Sequence, residues 1–102
     1  MKRIALIAAF SLISTACLAQ DPWTGPKSAA LSRLALQQCG APELSSAMML
    51  WAKINGFRAD DTEHRLFVRD FITHASAAFR LDRAKACGKI EAHAAGVLNK
   101  FN

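Results

Sequence analysis

Two cysteines, Cys39 and Cys87, place the strongest constraint on how this chain folds. They follow an amino-terminal segment typical of exported proteins, and exported thiols enter an oxidising compartment in which disulfides persist. A bond between them closes a loop of about 49 residues, for which the chain-entropy estimate is a stabilisation of about 4 kcal/mol. This is a large share of the free energy of unfolding of a small domain, which is only about 5–15 kcal/mol. We therefore predict that Cys39 and Cys87 form a structural disulfide.

The first 19 residues have the three-part layout of a secretory signal peptide. Lys2 and Arg3 precede an apolar run at residues 4–13, and small residues at Cys17 and Ala19 match the positions that a signal peptidase recognises. The run is shorter than the roughly 20 apolar residues of a transmembrane helix. We therefore predict cleavage after Ala19 and a periplasmic or secreted protein.

A lipoprotein is the alternative to simple cleavage. The segment Ser14-Thr15-Ala16-Cys17 resembles a bacterial lipoprotein box, although Ser14 stands where that box usually has leucine. In this interpretation Cys17 carries the lipid and supplies the protein's membrane contact. Both alternatives leave two cysteines, the even number that a disulfide requires.

Removal of residues 1–19 leaves 83 of the 102 residues, enough for a single domain. The loss of Lys2 and Arg3 leaves 11 basic against 8 acidic residues, a net charge of +3. Such a charge supports solubility and is a weak argument for a nucleic-acid partner. We divide the remainder into an extended leader at 20–27 and one helical domain at 28–102.

The leader is predicted to be extended because it contains Pro22, Gly25 and Pro26. Trp23 is expected to pack over the edge of the domain. A first helix is predicted to begin at the N-cap Ser28 and to end before a left-handed glycine after Cys39.

A second helix is predicted from Pro42 to about Asn55, because proline suits the first helical turn and Asn55-Gly56 is a strong stop signal. It is apolar nearly all round, so we expect it to be central in the domain or covered by a partner. Asp60 and Glu63 resemble a capping box that opens a third helix.

The apolar pattern of the third helix changes phase near Asp82, which can cap a fourth helix that runs to about Lys100. One unbroken helix is the alternative. No segment alternates with the period of a strand. The sequence therefore predicts an all-α fold, a small bundle of three or four helices with one disulfide. The disulfide is expected to join the first and fourth helices around the second.

Two surfaces are candidates for binding a protein partner. The first is the apolar run Met48, Met49, Leu50 and Trp51, because methionine-rich surfaces adapt to varied apolar partners. The second is a basic stripe along the third helix, which would meet an anionic partner and is formed by Arg65, Arg69 and Arg80. Nucleic-acid binding is not predicted, because aromatic residues do not alternate with these charges.

Catalytic and cofactor motifs are not apparent. Asp60, Asp61, Glu63 and His64 form the densest polar cluster, which we interpret as the start of a helix. The chain has no glycine-rich phosphate loop and no Cys-x-x-Cys, and His93 does not have zinc-finger spacing from Cys87. We predict a non-enzymatic protein without metal or cofactor.

The chain combines an export signal, a short leader, one disulfide across a helical domain and an apolar helix after the first cysteine. This layout resembles that of the HdeA/HdeB acid-stress chaperones of the bacterial periplasm. The resemblance spans Cys39 to Cys87 and includes the stretch from Ala47 to Trp51. It implies a homodimer near neutral pH that loosens in acid and exposes apolar surface to unfolding clients.

We therefore expect a small exported protein that binds other proteins through apolar helical surface, in the manner of a periplasmic acid-stress chaperone. A dedicated inhibitor, immunity factor or accessory subunit of one envelope protein or secretion complex is the alternative.

Overall fold

The computed structural model describes residues 22–99, leaving out the side chain of Leu98. This part of the chain contains four α-helices and no strand: α1 (Thr24–Cys39), α2 (Pro42–Ile54), α3 (Thr62–Leu81) and α4 (Arg83–Leu98). Cys39 and Cys87 are bonded, with their Cα atoms 5.8 Å apart. The predicted all-α bundle with one disulfide is confirmed. The proposed signal peptide, Cys17 and Lys100 lie outside the described residues.

Helix α1 begins four residues earlier than predicted. Thr24, Gly25 and Pro26 form its first turn, so the predicted extended leader is helical from Thr24 onward and Ser28 is buried inside the helix. Proline is tolerated there because the first N–H groups of a helix have no acceptor within the helix. Contact with the end of α2 supports this added turn: Gly25 lies directly against the backbone of Asn55.

The turn between α1 and α2 matches its sequence signals. Gly40 has a φ of 59° and a ψ of 38°, the left-handed conformation that glycine adopts readily. The N–H groups of Gly40 and Ala41 both donate to the carbonyl oxygen of Ala35. Pro42 then opens α2, as predicted. The short turn makes α1 and α2 antiparallel neighbours.

Asp61, not Asp60, caps helix α3. The Asp61 backbone is extended and its carboxylate accepts a hydrogen bond from the backbone N–H of His64 at 3.0 Å. Asp60 instead accepts hydrogen bonds from the guanidinium of Arg58. The predicted capping box of Asp60 and Glu63 is therefore wrong by one residue.

Helices α3 and α4 meet at a one-residue break. Asp82 has a φ of −157° and a ψ of 92°, and its carboxylate accepts a hydrogen bond from the backbone N–H of Lys85 at 3.0 Å. The predicted break at Leu81-Asp82 is confirmed, and the alternative of one unbroken helix is wrong.

Helix α1 is the centre of the bundle, since it contacts α2, α3 and α4. Its buried face carries mainly small side chains, which let the other helices approach closely: Ala29, Ala30, Ser32, Leu34 and Ala35. Helix α2 packs on α1 and α4, and its Ala52 and Met49 join a cluster that includes Val68 of α3. The predicted link between the first and fourth helices is confirmed. The expectation that these two are outer helices around α2 is wrong, because α1 is the central helix.

Candidate functional site

The apolar run of α2 divides between the core and the surface. Met48 is fully buried against Ala94 and Val97 of α4. Met49 is half-buried and packs on the contact between α1 and α3. The prediction of a partner surface is therefore wrong for Met48, because α4 packs against that side of α2.

The outward side of α2 keeps an apolar surface. Leu50 is 55% exposed and Ile54, one turn later, is 59% exposed. At 100° per residue they share one arc with the half-buried Ala47 and Trp51. We call Ala47, Leu50, Trp51 and Ile54 the α2 stripe.

The predicted basic residues lie on the outer face of α3. Arg65, Arg69 and Arg80 are all exposed and fall within about 60° of one another around the helix. Arg69 makes a 3.7 Å ion pair with its neighbour Asp70, and Arg65 a long hydrogen bond to the hydroxyl of Thr62. The three guanidinium groups therefore face solvent, in a row along the helix axis.

An apolar groove between α3 and α4 was not predicted. It has a volume of about 390 Å³, and the residues along it come from α1, α3 and α4, including Leu31, Phe71, Ala75, Ala86 and Ile90. Asp82, the residue of the break between the two helices, also lines it. The sequence signal for it is the apolar pattern of the third helix, which includes Phe71 and Ala75.

Leu81 and two lysines mark the mouth of this groove. Leu81 is 88% exposed, although it lines the groove. Lys85 and Lys89 lie one turn apart on α4 and line the same groove. The carboxylate of Asp82 also lines the groove, so the α3–α4 groove combines an apolar interior with an edge of two ammonium groups and one carboxylate.

Aromatic side chains cover the opposite end of α3. Trp23 stacks on Phe67 with ring centroids 4.9 Å apart and an angle of 11° between the rings. The ring of His64 lies between Trp23 and Phe57, at 6.2 Å and 5.8 Å. Trp23 is 39% exposed, so it packs over the edge of the bundle as expected.

His64 also holds the loop before α3. Its Nδ1 accepts a hydrogen bond from the backbone N–H of Arg58 at 3.1 Å. Because an acceptor nitrogen carries no proton, this bond requires the neutral tautomer of the imidazole that has its proton on Nε2.

The polar cluster at the start of α3 has structural roles. Asp61 caps the helix, Asp60 pairs with Arg58, and His64 stacks on Phe57 and meets Trp23 edge to face. Within residues 22–99 no group of three or more His, Cys, Asp or Glu side chains could hold a metal ion. In the same part of the chain, no helix is long and apolar enough to cross a membrane.

Comparison with protein families, with curated proteins and with solved structures found no match to this chain.

Proposed function

We propose that this chain is a non-enzymatic protein of the bacterial envelope that binds unfolding client proteins through the α2 stripe. The observation that carries the proposal is the exposure of Leu50 and Ile54 on the outward side of α2. Contiguous exposed apolar side chains are typical of surfaces that other proteins cover.

The α2 stripe has the size expected for weak, reversible binding. Full burial of a leucine or isoleucine contributes about 1.5–3 kcal/mol. Because Leu50 and Ile54 are already half covered, burying the remainder of each contributes about 1–1.5 kcal/mol. A second copy of the chain is an alternative occupant of the same stripe, so a homodimer at neutral pH would compete with clients.

The structure offers a physical route from acid to client binding. Acid neutralises carboxylates, and the caps of α3 and α4 depend on the carboxylates of Asp61 and Asp82. The remaining Lys and Arg charges then repel one another. These changes loosen helix packing, while the disulfide keeps α1 and α4 joined.

Export fits the same proposal. The Cys39–Cys87 bond is stable in an oxidising compartment and would be reduced in the cytosol. A periplasmic location would also expose the protein directly to external acid. Removal of residues 1–19 or lipidation at Cys17 are the two maturation routes, and mass spectrometry of the mature protein distinguishes them.

The proposal is tested by the aggregation of a client protein at about pH 3, where carboxylate-dependent folds are lost. We expect the oxidised protein to suppress light scattering, and Leu50→Ser with Ile54→Ser to reduce the suppression. Leu36→Ser is the matched control, because Leu36 is 51% exposed on α1, away from the α2 stripe. Absence of suppression by the unaltered protein, or equal loss in the control, would refute the proposal.

The outer face of α3 supports a second candidate, a dedicated inhibitor, immunity factor or accessory subunit of one envelope protein. Arg65, Arg69 and Arg80 would meet an acidic face of that partner. Affinity purification from the envelope should then recover one stoichiometric protein, lost when the three arginines become serine. Retention of that protein by the triple variant would exclude the arginine surface.

A further inference from the structure

The α3–α4 groove has dimensions that favour a slender ligand. Its volume of about 390 Å³ lies within the roughly 300–1,000 Å³ of small-molecule sites. A bound helix about 10 Å wide would occupy about 400 Å³ in each turn of about 5.4 Å, so the groove could take no more than one turn. A single extended hydrocarbon chain suits this space better than a protein helix.

The interior of the groove, where the hydrocarbon chain would lie, is apolar. Leu31 and Leu34 of α1 line its floor, Phe71 and Ala75 line the α3 side, and Ile90 lines the α4 side. Such a surface gains free energy by contact with hydrocarbon, roughly in proportion to the area removed from water.

Positive charge lies along only one edge. Lys85 and Lys89 line the groove, and among residues 22–99 neither ammonium group makes a hydrogen bond or an ion pair. The acidic residue beside them, Asp82, accepts a hydrogen bond from the backbone N–H of Lys85. Asp82 also lines the groove and keeps its negative charge, so two ammonium groups stand there against one carboxylate. The remaining positive charge complements one carboxylate head group.

We propose that the α3–α4 groove binds one free long-chain fatty acid as its carboxylate. The hydrocarbon chain lies against Phe71, Ala75 and Ile90, and the carboxylate accepts hydrogen bonds from Lys85 and Lys89. Leu81, held almost fully in solvent at the mouth, folds over the bound chain and loses exposed area. This site is separate from the α2 stripe and does not depend on the client-binding proposal.

Calorimetric titration of the oxidised, delipidated protein with monomeric laurate tests the site. We expect saturable binding of one laurate per chain and much weaker binding of lauryl alcohol, which lacks the charge. Lys85→Gln with Lys89→Gln should weaken laurate binding about tenfold or more. Lys27→Gln with Lys53→Gln is the matched control, because it removes two exposed lysines away from the groove and should leave the affinity unchanged.

A second pair of variants tests the position of the hydrocarbon chain. Ala78 lines the groove and is exposed, whereas the adjacent, exposed Ala77 does not line it. Ala78→Trp should abolish laurate binding, and Ala77→Trp should not. No saturable binding to the unaltered protein, equal loss in either control, or binding to anionic vesicles but not to monomeric laurate would overturn the proposal.

Discussion

Small side chains determine how closely α1 and α2 approach. A Cβ atom added to Gly25 would lie 2.7 Å from the carbonyl oxygen of Asn55 and 2.8 Å from the backbone nitrogen of Phe57. Further along the same contact, the hydroxyl of Ser32 donates to the carbonyl oxygen of Ser45 at 2.6 Å. Both contacts involve backbone atoms, which cannot move aside as a flexible side chain does.

Gly25→Ala should therefore destabilise the protein. We expect the free energy of unfolding to fall by about 1–3 kcal/mol, because the methyl group has to displace the backbone at the end of α2. Gly88→Ala is the matched control. Gly88 is an exposed glycine inside α4 whose added Cβ meets nothing within 4 Å, and its replacement should stabilise by about 0.5–1 kcal/mol. Urea denaturation measures both, and equal effects would contradict the close contact.

The ion pair before α3 gives a prediction about pH. Hydrogen bonding and charge from the Arg58 guanidinium lower the pKa of Asp60 below its ordinary value of 3.8. The stabilisation is therefore fully present above the unfolded pKa and is lost as the pH falls through the folded pKa. Carbon-detected NMR should show Asp60 titrating below 3.8, and Arg58→Gln should move its pKa back toward 3.8. A pKa that is unchanged in the variant would exclude Arg58 as the cause.

At the level of helices, the sequence predicts those helix ends that depend on residues within one turn. Pro42 and Asp82 mark the starts of α2 and α4 through caps and dihedral preferences that act within one turn. The start of α1 depends instead on contact between Gly25 and the end of α2. The burial of Met48 depends on which helix packs beside it. Neither long-range contact leaves a pattern in the nearby sequence.

The disulfide joins the end of α1 to the first half of α4. Reduction, or Cys39→Ala with Cys87→Ala, should lower the free energy of unfolding by about 4 kcal/mol for a sequence separation of 48 residues. Because the bond ties α4 to the central helix α1, hydrogen exchange in the reduced protein should rise first in α4. Uniform acceleration across all four helices would show that the bond stabilises the whole bundle and not α4 in particular.

At the scale of the whole molecule, residues 22–99 are held by three buried clusters that share side chains. The cluster around Leu34 and Phe79 and the cluster around Met48 and Ala94 both contact Leu31. A third cluster, around Ala30 and Val68, shares other side chains with the first. Because no cluster is closed by itself, loss of one exposes apolar surface in its neighbour. The four helices should therefore unfold together.

Two tryptophans at different places test this cooperativity. Trp23 stacks on Phe67 where α1 and α3 begin, whereas Trp51 packs against the cluster of Met48 on the α2–α4 side. In the Trp51→Phe variant, fluorescence reports only on the surroundings of Trp23. In the Trp23→Phe variant, it reports only on the surroundings of Trp51. In each variant the fluorescence midpoint in urea should coincide with that from circular dichroism, as expected for a two-state domain of this size. A fluorescence midpoint that differs from the circular dichroism midpoint would mean that the side of the bundle around that tryptophan unfolds independently. Acid-induced loosening would then begin on that side.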